Sequence, residues 1–259
     1  MSADIALRCE NVVVRFGALN AIDGITHDFV RGRVYGLIGP NGAGKTTFLN
    51  VLAGRLMRHE GRIVCNGVDI TRVAAFRRAR HGVGRSFQIT KIFPEMTVLE
   101  NLRVAAQVGH GRFLPPWPLP SHDRRLAADI DAMLALTELT GFRDVVAGTL
   151  SYGLQRALEL GVTLLPNPSI LLLDEPLAGV GHHEIAGATR LIRQAAVGRT
   201  VLLIEHHMDV VLQLSAQIVV MSAGKVIASG TPATIGDDPL VRSVYLGEDD
   251  ALDDEGLAA

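Results

Sequence analysis

The run Gly39-Pro40-Asn41-Gly42-Ala43-Gly44-Lys45-Thr46-Thr47 constrains this chain more than any other segment. It fits the pattern Gly-x-x-x-x-Gly-Lys-Ser/Thr, with a buried-strand pattern at Arg33 to Ile38 before it and a helical pattern after it. Glycines let the backbone curl until successive N–H groups face one phosphate. The helix that begins near Lys45 adds its positive end at the same place. Lys45 then brings a point charge to the β- and γ-phosphates of a nucleotide, and the Thr46 hydroxyl is a ligand for Mg²⁺. A chain that must enter this loop on a strand and leave it on a helix is committed to α/β architecture.

The remainder of the 259 residues agrees with that commitment. Short apolar runs alternate with helical stretches, which predicts a largely parallel sheet. Strands are expected at Ile170 to Asp174, Thr200 to Glu205, Gln217 to Met221 and Lys225 to Ala228. Leu7 to Phe16, Ile22 to Val30 and Arg62 to Cys65 are separated by turn residues and read as an antiparallel layer near the N-terminus. Strand signals fade after the strand-like Val83 to Phe87. Val98 to Val108 and Asp123 to Leu139 show helical spacing, so a helical lobe over residues 88–162 is expected as an insertion into a core of 1–87 and 163–247. Between those helices, Gly109 to Pro120 holds four prolines and reads as a surface excursion. Residues 248–259 are acidic and rich in small residues, the composition of a frayed tail.

No apolar run reaches the length of a membrane span. The net charge of −2 gives no reason to expect nucleic acid as a partner. Cys9 and Cys65 lack metal-site spacing, and the N-terminus has no secretory pattern, so a reducing cytoplasmic setting is expected. The pairs His182-His183 and His206-His207 have no third ligand in view and do not suggest zinc.

Ile170-Leu171-Leu172-Leu173-Asp174-Glu175-Pro176 is an apolar strand ending in two carboxylates. Beside a phosphate loop, Asp174 is placed to help hold Mg²⁺, and Glu175 to polarise an attacking water. Upstream, Leu150-Ser151-Tyr152-Gly153-Leu154-Gln155-Arg156 opens a helical pattern that runs through Leu164, with Ser151 as a good N-cap. A helix start of this kind suits an anion, yet the chain's own nucleotide already has such a start at Lys45.

These seven residues resemble the signature motif of ABC ATPases, and the resemblance extends from about Ile5 to Gly247. It implies a P-loop NTPase of ABC type: a RecA-like parallel core, an antiparallel N-terminal β layer and an inserted helical lobe. It also implies that Ser151 and Gly153 contact ATP held by a second cassette, identical or paralogous, in a head-to-tail dimer. Phe16 would then stack on adenine. Gln88 would link the γ-phosphate and Mg²⁺ to the helical lobe, and His206 would act as the switch histidine near the γ-phosphate. Catalysis would fall to Glu175, His206, Gln88 and Lys45, with ATP and Mg²⁺ as cofactors and Thr46, Gln88 and Asp174 around the metal. Three positions depart from the family pattern. Tyr152 replaces the usual glycine, Leu154 replaces glutamine, and Ala178-Gly179-Val180-Gly181 ends without the aspartate or asparagine expected to reach across the dimer.

The stretch from Gly84 to Leu102, Leu158 to Leu160, and the ending Asp238 to Gly247 resemble the larger ATPase subunit of importers for branched-chain and other hydrophobic amino acids. That implies a peripheral protein on the cytoplasmic face of the inner membrane. Its partners would be integral-membrane permeases docking near Lys91 to Asn101 and, indirectly, a periplasmic solute-binding protein. An importer of urea or a short amide and a lipopolysaccharide exporter have similar cassettes. A soluble ABC ATPase would need a long coiled coil or a tandem cassette, and a small-molecule kinase would leave the signature, Gln88 and His206 without purpose.

Overall fold

A computed structural model describes residues 4–86, 92–109 and 124–241 of the chain. The N-terminal part runs β1 (Ile5–Phe16), β2 (Leu19–Val30), β3 (Val34–Ile38), α1 (Lys45–Leu52), β4 (Glu60–Cys65), β5 (Val68–Asp69), α2 (Ala75–Arg78) and β6 (Val83–Arg85). Three helices follow: α3 (Val98–Gly109), α4 (Arg124–Leu136) and α5 (Tyr152–Leu164). The chain then passes through β7 (Ile170–Asp174), α6 (Ile185–Ala196), β8 (Thr200–Ile204), α7 (Met208–Leu214), β9 (Gln217–Ser222), β10 (Lys225–Gly230) and α8 (Pro232–Gly236).

Two sheets result. The first is antiparallel in the order β2-β1-β4-β5. The second has the order β10-β9-β3-β8-β7-β6, parallel from β9 to β6 with β10 antiparallel on its edge. Every residue of β7 and β8 is buried, as expected of strands covered on both faces. The two sheets share one core around α1, where Ile22, Phe29, Leu37, Phe48 and Leu49 are buried together. Arg78 closes the far end of α1. Its guanidinium, fully buried, donates to the Val51 and Leu52 carbonyls at the helix end and to the Val73 carbonyl in the following loop, each at 2.7 Å. Burial lowers the Arg78 pKa to about 10, still a cation at neutral pH.

The helical lobe has its own core of Val98, Leu102, Ile130, Leu134 and Leu158, among others. Helix α5 belongs to both parts, because Leu160 and Leu164 on its other face pack with Leu171 and Leu173 of β7. The helix expected to continue to Leu139 stops at Leu136. Glu138 adopts φ +58°, and the Leu139 N–H turns back to the Leu134 carbonyl at 2.8 Å. This is a Schellman ending with glutamate where glycine is usual, so no residue type announced it. The strand expected over Thr200 to Glu205 ends at Ile204, because Glu205 turns its carboxylate into the interior. Phe87, most of the proline-rich segment 109–120, the ending beyond Val241 and the tail 248–259 lie outside the described residues. Among the described residues, no helix is long and apolar enough to cross a membrane.

Candidate active site

The parallel sheet delivers the phosphate loop at the C-terminal end of β3. Gly39 has φ +147°, and a Cβ there would stand 2.0 Å from the Met221 carbonyl oxygen. Gly44 has φ +96°, and its Cβ would meet the Ala21 carbonyl oxygen at 2.4 Å. Neighbouring backbone from β9 and β2 therefore excludes any side chain at both positions, which holds the loop in its curled form. Helix α1 begins directly at Lys45, with no side-chain cap and no acidic residue in its first turn. Its first N–H groups are left for an anion. The Lys45 ammonium donates to the Gly39 carbonyl and, at 2.8 Å, to the Pro40 carbonyl, so it lies across the mouth of the loop.

Asp174 comes to the same place from the end of β7. The Thr46 hydroxyl donates to Asp174 Oδ1 at 3.3 Å. The other carboxylate oxygen accepts from Arg85 Nη2 at 2.9 Å, while Arg85 Nη1 donates to Asn50 Oδ1 of α1 at 2.8 Å. Burial pushes the Asp174 carboxyl above the usual range, and the Arg85 guanidinium opposes that shift. One arginine on β6 thus joins the phosphate-loop helix to the acidic strand end.

Glu175 follows at φ +51°, a left-handed conformation that is uncommon outside glycine. Its N–H still reaches the Ile204 carbonyl at 2.9 Å, the last rung between β7 and β8. The turn swings its carboxylate toward the next strand, where Glu175 Oε1 accepts from His206 Nε2 at 3.1 Å. Backbone strain held in place beside a carboxylate–histidine pair makes Glu175 a candidate functional position.

The remaining expected residues lie elsewhere. Phe16 ends β1 and is 53% exposed, an aromatic face available for stacking. Ser151 is the N-cap of α5, its hydroxyl accepting the Leu154 N–H at a long 3.4 Å. Gly153 lies against the Glu184 carboxylate, and Gly179 against the Tyr152 ring. The described contacts of Ser151, Tyr152 and Gly153 run to the lobe and to the 179–184 segment, not to the phosphate loop. Leu154, the departure that removes an amide, is half-buried and packs its side chain against the lobe core. Gln88 lies outside the described residues.

Two residues of this site escaped assignment from the sequence. Arg85 stood in view as a cation within a short strand, where a buried charge requires a partner. Glu205 closed an expected strand and drew no role of its own, yet it is only 6% exposed. Among the described residues, no cluster of histidine, cysteine and carboxylate groups has the make-up of a metal cage. Thr46 and Asp174 instead offer two hard oxygens beside a phosphate loop, a set suited to a cation that keeps waters and takes its other ligands from a nucleotide.

The comparisons with known proteins agree with this geometry. The family profile described as "ABC transporter" matches residues 22–178, and one described as "Branched-chain amino acid ATP-binding cassette transporter" matches residues 225–251. The high-affinity branched-chain amino acid transport ATP-binding protein BraF of Pseudomonas aeruginosa is 39% identical, with 93% of this chain and 98% of that protein covered. LivG of Escherichia coli, described in the same words, is 36% identical with the same coverage. The crystal structure of a nucleotide-free ATP-binding cassette from an ABC transporter superposes with a TM-score of 0.80 at 32% identity, covering 93% of this chain and 98% of that one. With its phosphate loop, acidic strand end and capped signature helix in these positions, the chain belongs to the ABC transporter family as one of its ATP-binding, ATP-hydrolysing cassettes.

Proposed function

We infer that this cassette energises the import of branched-chain or other hydrophobic amino acids through a membrane permease. The observation that carries the solute class is the match of residues 225–251 to the branched-chain amino acid cassette profile, beside relatives whose names carry that substrate. The chemistry rests on the Glu175–His206 pair standing next to Thr46 and Asp174.

In this reading the loop N–H groups and Lys45 bind the β- and γ-phosphates, and Phe16 stacks on the base. Thr46 and Asp174 would hold Mg²⁺, joined by Gln88 from the entry to the lobe. When bound, Mg²⁺ offsets the charge that develops on the transferred phosphoryl group. Glu175 accepts a proton from the attacking water, and His206 holds that carboxylate while facing the γ-phosphate. Ser151 and Gly153 complete the site of a second cassette, so that binding closes a head-to-tail dimer and hydrolysis reopens it.

The permease would dock in the groove between the core and the lobe, on the cytoplasmic face of the inner membrane. There Phe76 and Phe93 are 66% and 52% exposed. The Asn101 amide shapes the rim of that groove, accepting from the Phe93 N–H at 2.8 Å and donating to the Phe93 and Thr97 carbonyls. A periplasmic solute-binding protein would complete the system.

Glu175→Gln tests the chemistry: the variant should retain ATP and favour a stable dimer while losing turnover. Undiminished phosphate release would remove Glu175 as the base. Uptake of labelled leucine, isoleucine and valine tests the solute class. A deletion strain should lose uptake and regain it with the wild-type chain but not with Glu175→Gln, whereas unchanged uptake in the deletion would sink the amino-acid assignment.

A further inference from the structure

The site contains a buried carboxylate that the chemistry above does not use. Glu205 follows β8, with its side chain 2% exposed. Its Oε1 accepts the Leu177 N–H at 2.6 Å, and its Oε2 accepts the His206 N–H at 3.0 Å. His207 Nδ1 lies 3.3 Å from the same Oε2. Burying a carboxylate is costly unless its oxygens are hydrogen-bonded, and these are.

The location of those bonds matters more than their number. The ladder between β7 and β8 ends where the Glu175 N–H meets the Ile204 carbonyl. Past that rung the two strands no longer pair, yet His206, two residues beyond Ile204, must stay in register with Glu175, whose backbone supplies the rung and whose side chain projects past it. The Glu205 carboxylate spans the gap. One oxygen holds the turn that follows Glu175, and the other holds the backbone of His206 itself. The same turn is closed by the Ala178 N–H on the Glu175 carbonyl at 3.1 Å. These contacts over-determine the left-handed conformation of Glu175, which is the condition under which such strain persists.

We propose that Glu205 is a positioning residue for hydrolysis. Its carboxylate replaces the missing rungs of the β7–β8 ladder and so sets the spacing of Glu175 and His206. The inference deepens the functional reading above and rests on it, because it takes His206 as the residue being positioned. A glutamine at 205 keeps the volume but only one acceptor oxygen. If that oxygen serves the Leu177 N–H, the amide nitrogen confronts the His206 N–H, donor against donor. The histidine backbone is then released while the rest of the turn stays in place.

The experiment is a double-mutant cycle on the full chain with Glu205→Gln and His206→Ala, read by kcat, by KM for ATP and by binding of a fluorescent ATP analogue. Glu205→Gln should lower kcat by about tenfold with KM and analogue affinity changed less than about twofold, the signature of lost alignment, not of lost binding. Added to His206→Ala, it should cost almost nothing further, because the group it aligned is gone. Full additivity of the two effects, or a loss of affinity equal to the loss of kcat, would overturn the positioning role and leave His206 in its own. Unchanged turnover in His206→Ala alone would overturn the reading of His206 and this inference with it.

Discussion

Helices α1 and α5 begin in similar ways and are held in different ones. Both lack an acidic residue in the first turn, so neither has a carboxylate of its own there to offset the positive helix end, although α5 has a serine cap and α1 has none. The start of α1 is fixed by the chain around it. Backbone from β9 and β2 crowds Gly39 and Gly44, Thr46 is tied to Asp174, and Arg85 ties Asp174 to α1. The start of α5 has far less. Its N-cap bond is long, at 3.4 Å, and its neighbours are the Tyr152 ring on Gly179 and the Glu184 carboxylate against Gly153. One anion site is preorganised by the parallel sheet. The other helix start stands on the lobe with Ser151 and Tyr152 exposed.

The comparison breaks most sharply at Lys45. If the α1 site is complete within this chain, Lys45→Ala should remove both binding and turnover. Loss of one preorganised donor to a developing charge costs roughly 10²–10³-fold in rate. Phosphate release should fall by at least that factor, and binding of a fluorescent ATP analogue by the isolated chain should weaken with it. Retained binding at wild-type affinity would mean that the loop alone holds the nucleotide.

Ser151→Ala probes the other helix start. The serine cap bond is too long to contribute much, so the variant should lose less than about 1 kcal/mol of stability, below the usual cost of removing a cap. The isolated chain should bind the analogue as before, because its own phosphate loop is untouched. Turnover should still fall by about tenfold, the worth of one charge-assisted hydrogen bond to a phosphate held by the partner. Binding lost in proportion to turnover would place Ser151 in its own chain's site and end the distinction between the two helices.

The same contrast explains what could be read from the sequence. The phosphate loop, the strand Ile170 to Asp174 and the Ser151 cap were legible because each depends on residues adjacent in the chain. Local chemistry was enough for the strands and helices of the core to fall where alternation and helical spacing put them. Arg85 and Glu205 were not legible in the same way. Their partners, Asp174 and Leu177, are brought near only by the order of strands in the sheet, and a charged residue at a strand end looks solvated until that order is known. The early stop of α4 was hidden for another reason. Glu138 carries a conformation that glycine usually supplies, and the two-residue β5 is too short to leave a period. Leu154 shows the limit of reading a departure as a loss: its half-buried side chain packs against the lobe core.

The smallest expected effect lies where the two halves of the site meet. The segment after Glu175 passes Gly179 and Gly181 on its way to α6, and the two glycines are not equivalent. Gly179 has φ +76° with the Tyr152 ring 2.9 Å from where a Cβ would stand, so a side chain there is strained and displaces an aromatic. Gly181 is absent from the positive-φ positions; its Cβ would meet the His183 ring, 2.9 Å away at Cε1, and make ordinary contact with the Glu184 carboxylate at 3.6 Å. His183 is exposed and free to swing aside, so Gly181→Asn should change stability by less than about 0.5 kcal/mol. An asparagine there regains a side-chain amide able to reach toward a second cassette. Because its hydrogen bonds would be made at a solvent-exposed edge, their net worth is about 0.5–1 kcal/mol. Turnover should therefore rise by about twofold to fivefold, with analogue binding by the isolated chain unchanged. A rise seen only at protein concentrations that permit pairing would assign the gain to contact between cassettes. No rise at any concentration would show that this edge of the dimer works through backbone alone, and would leave the signature helix as the one contact the α5 half of the site makes with its partner's nucleotide.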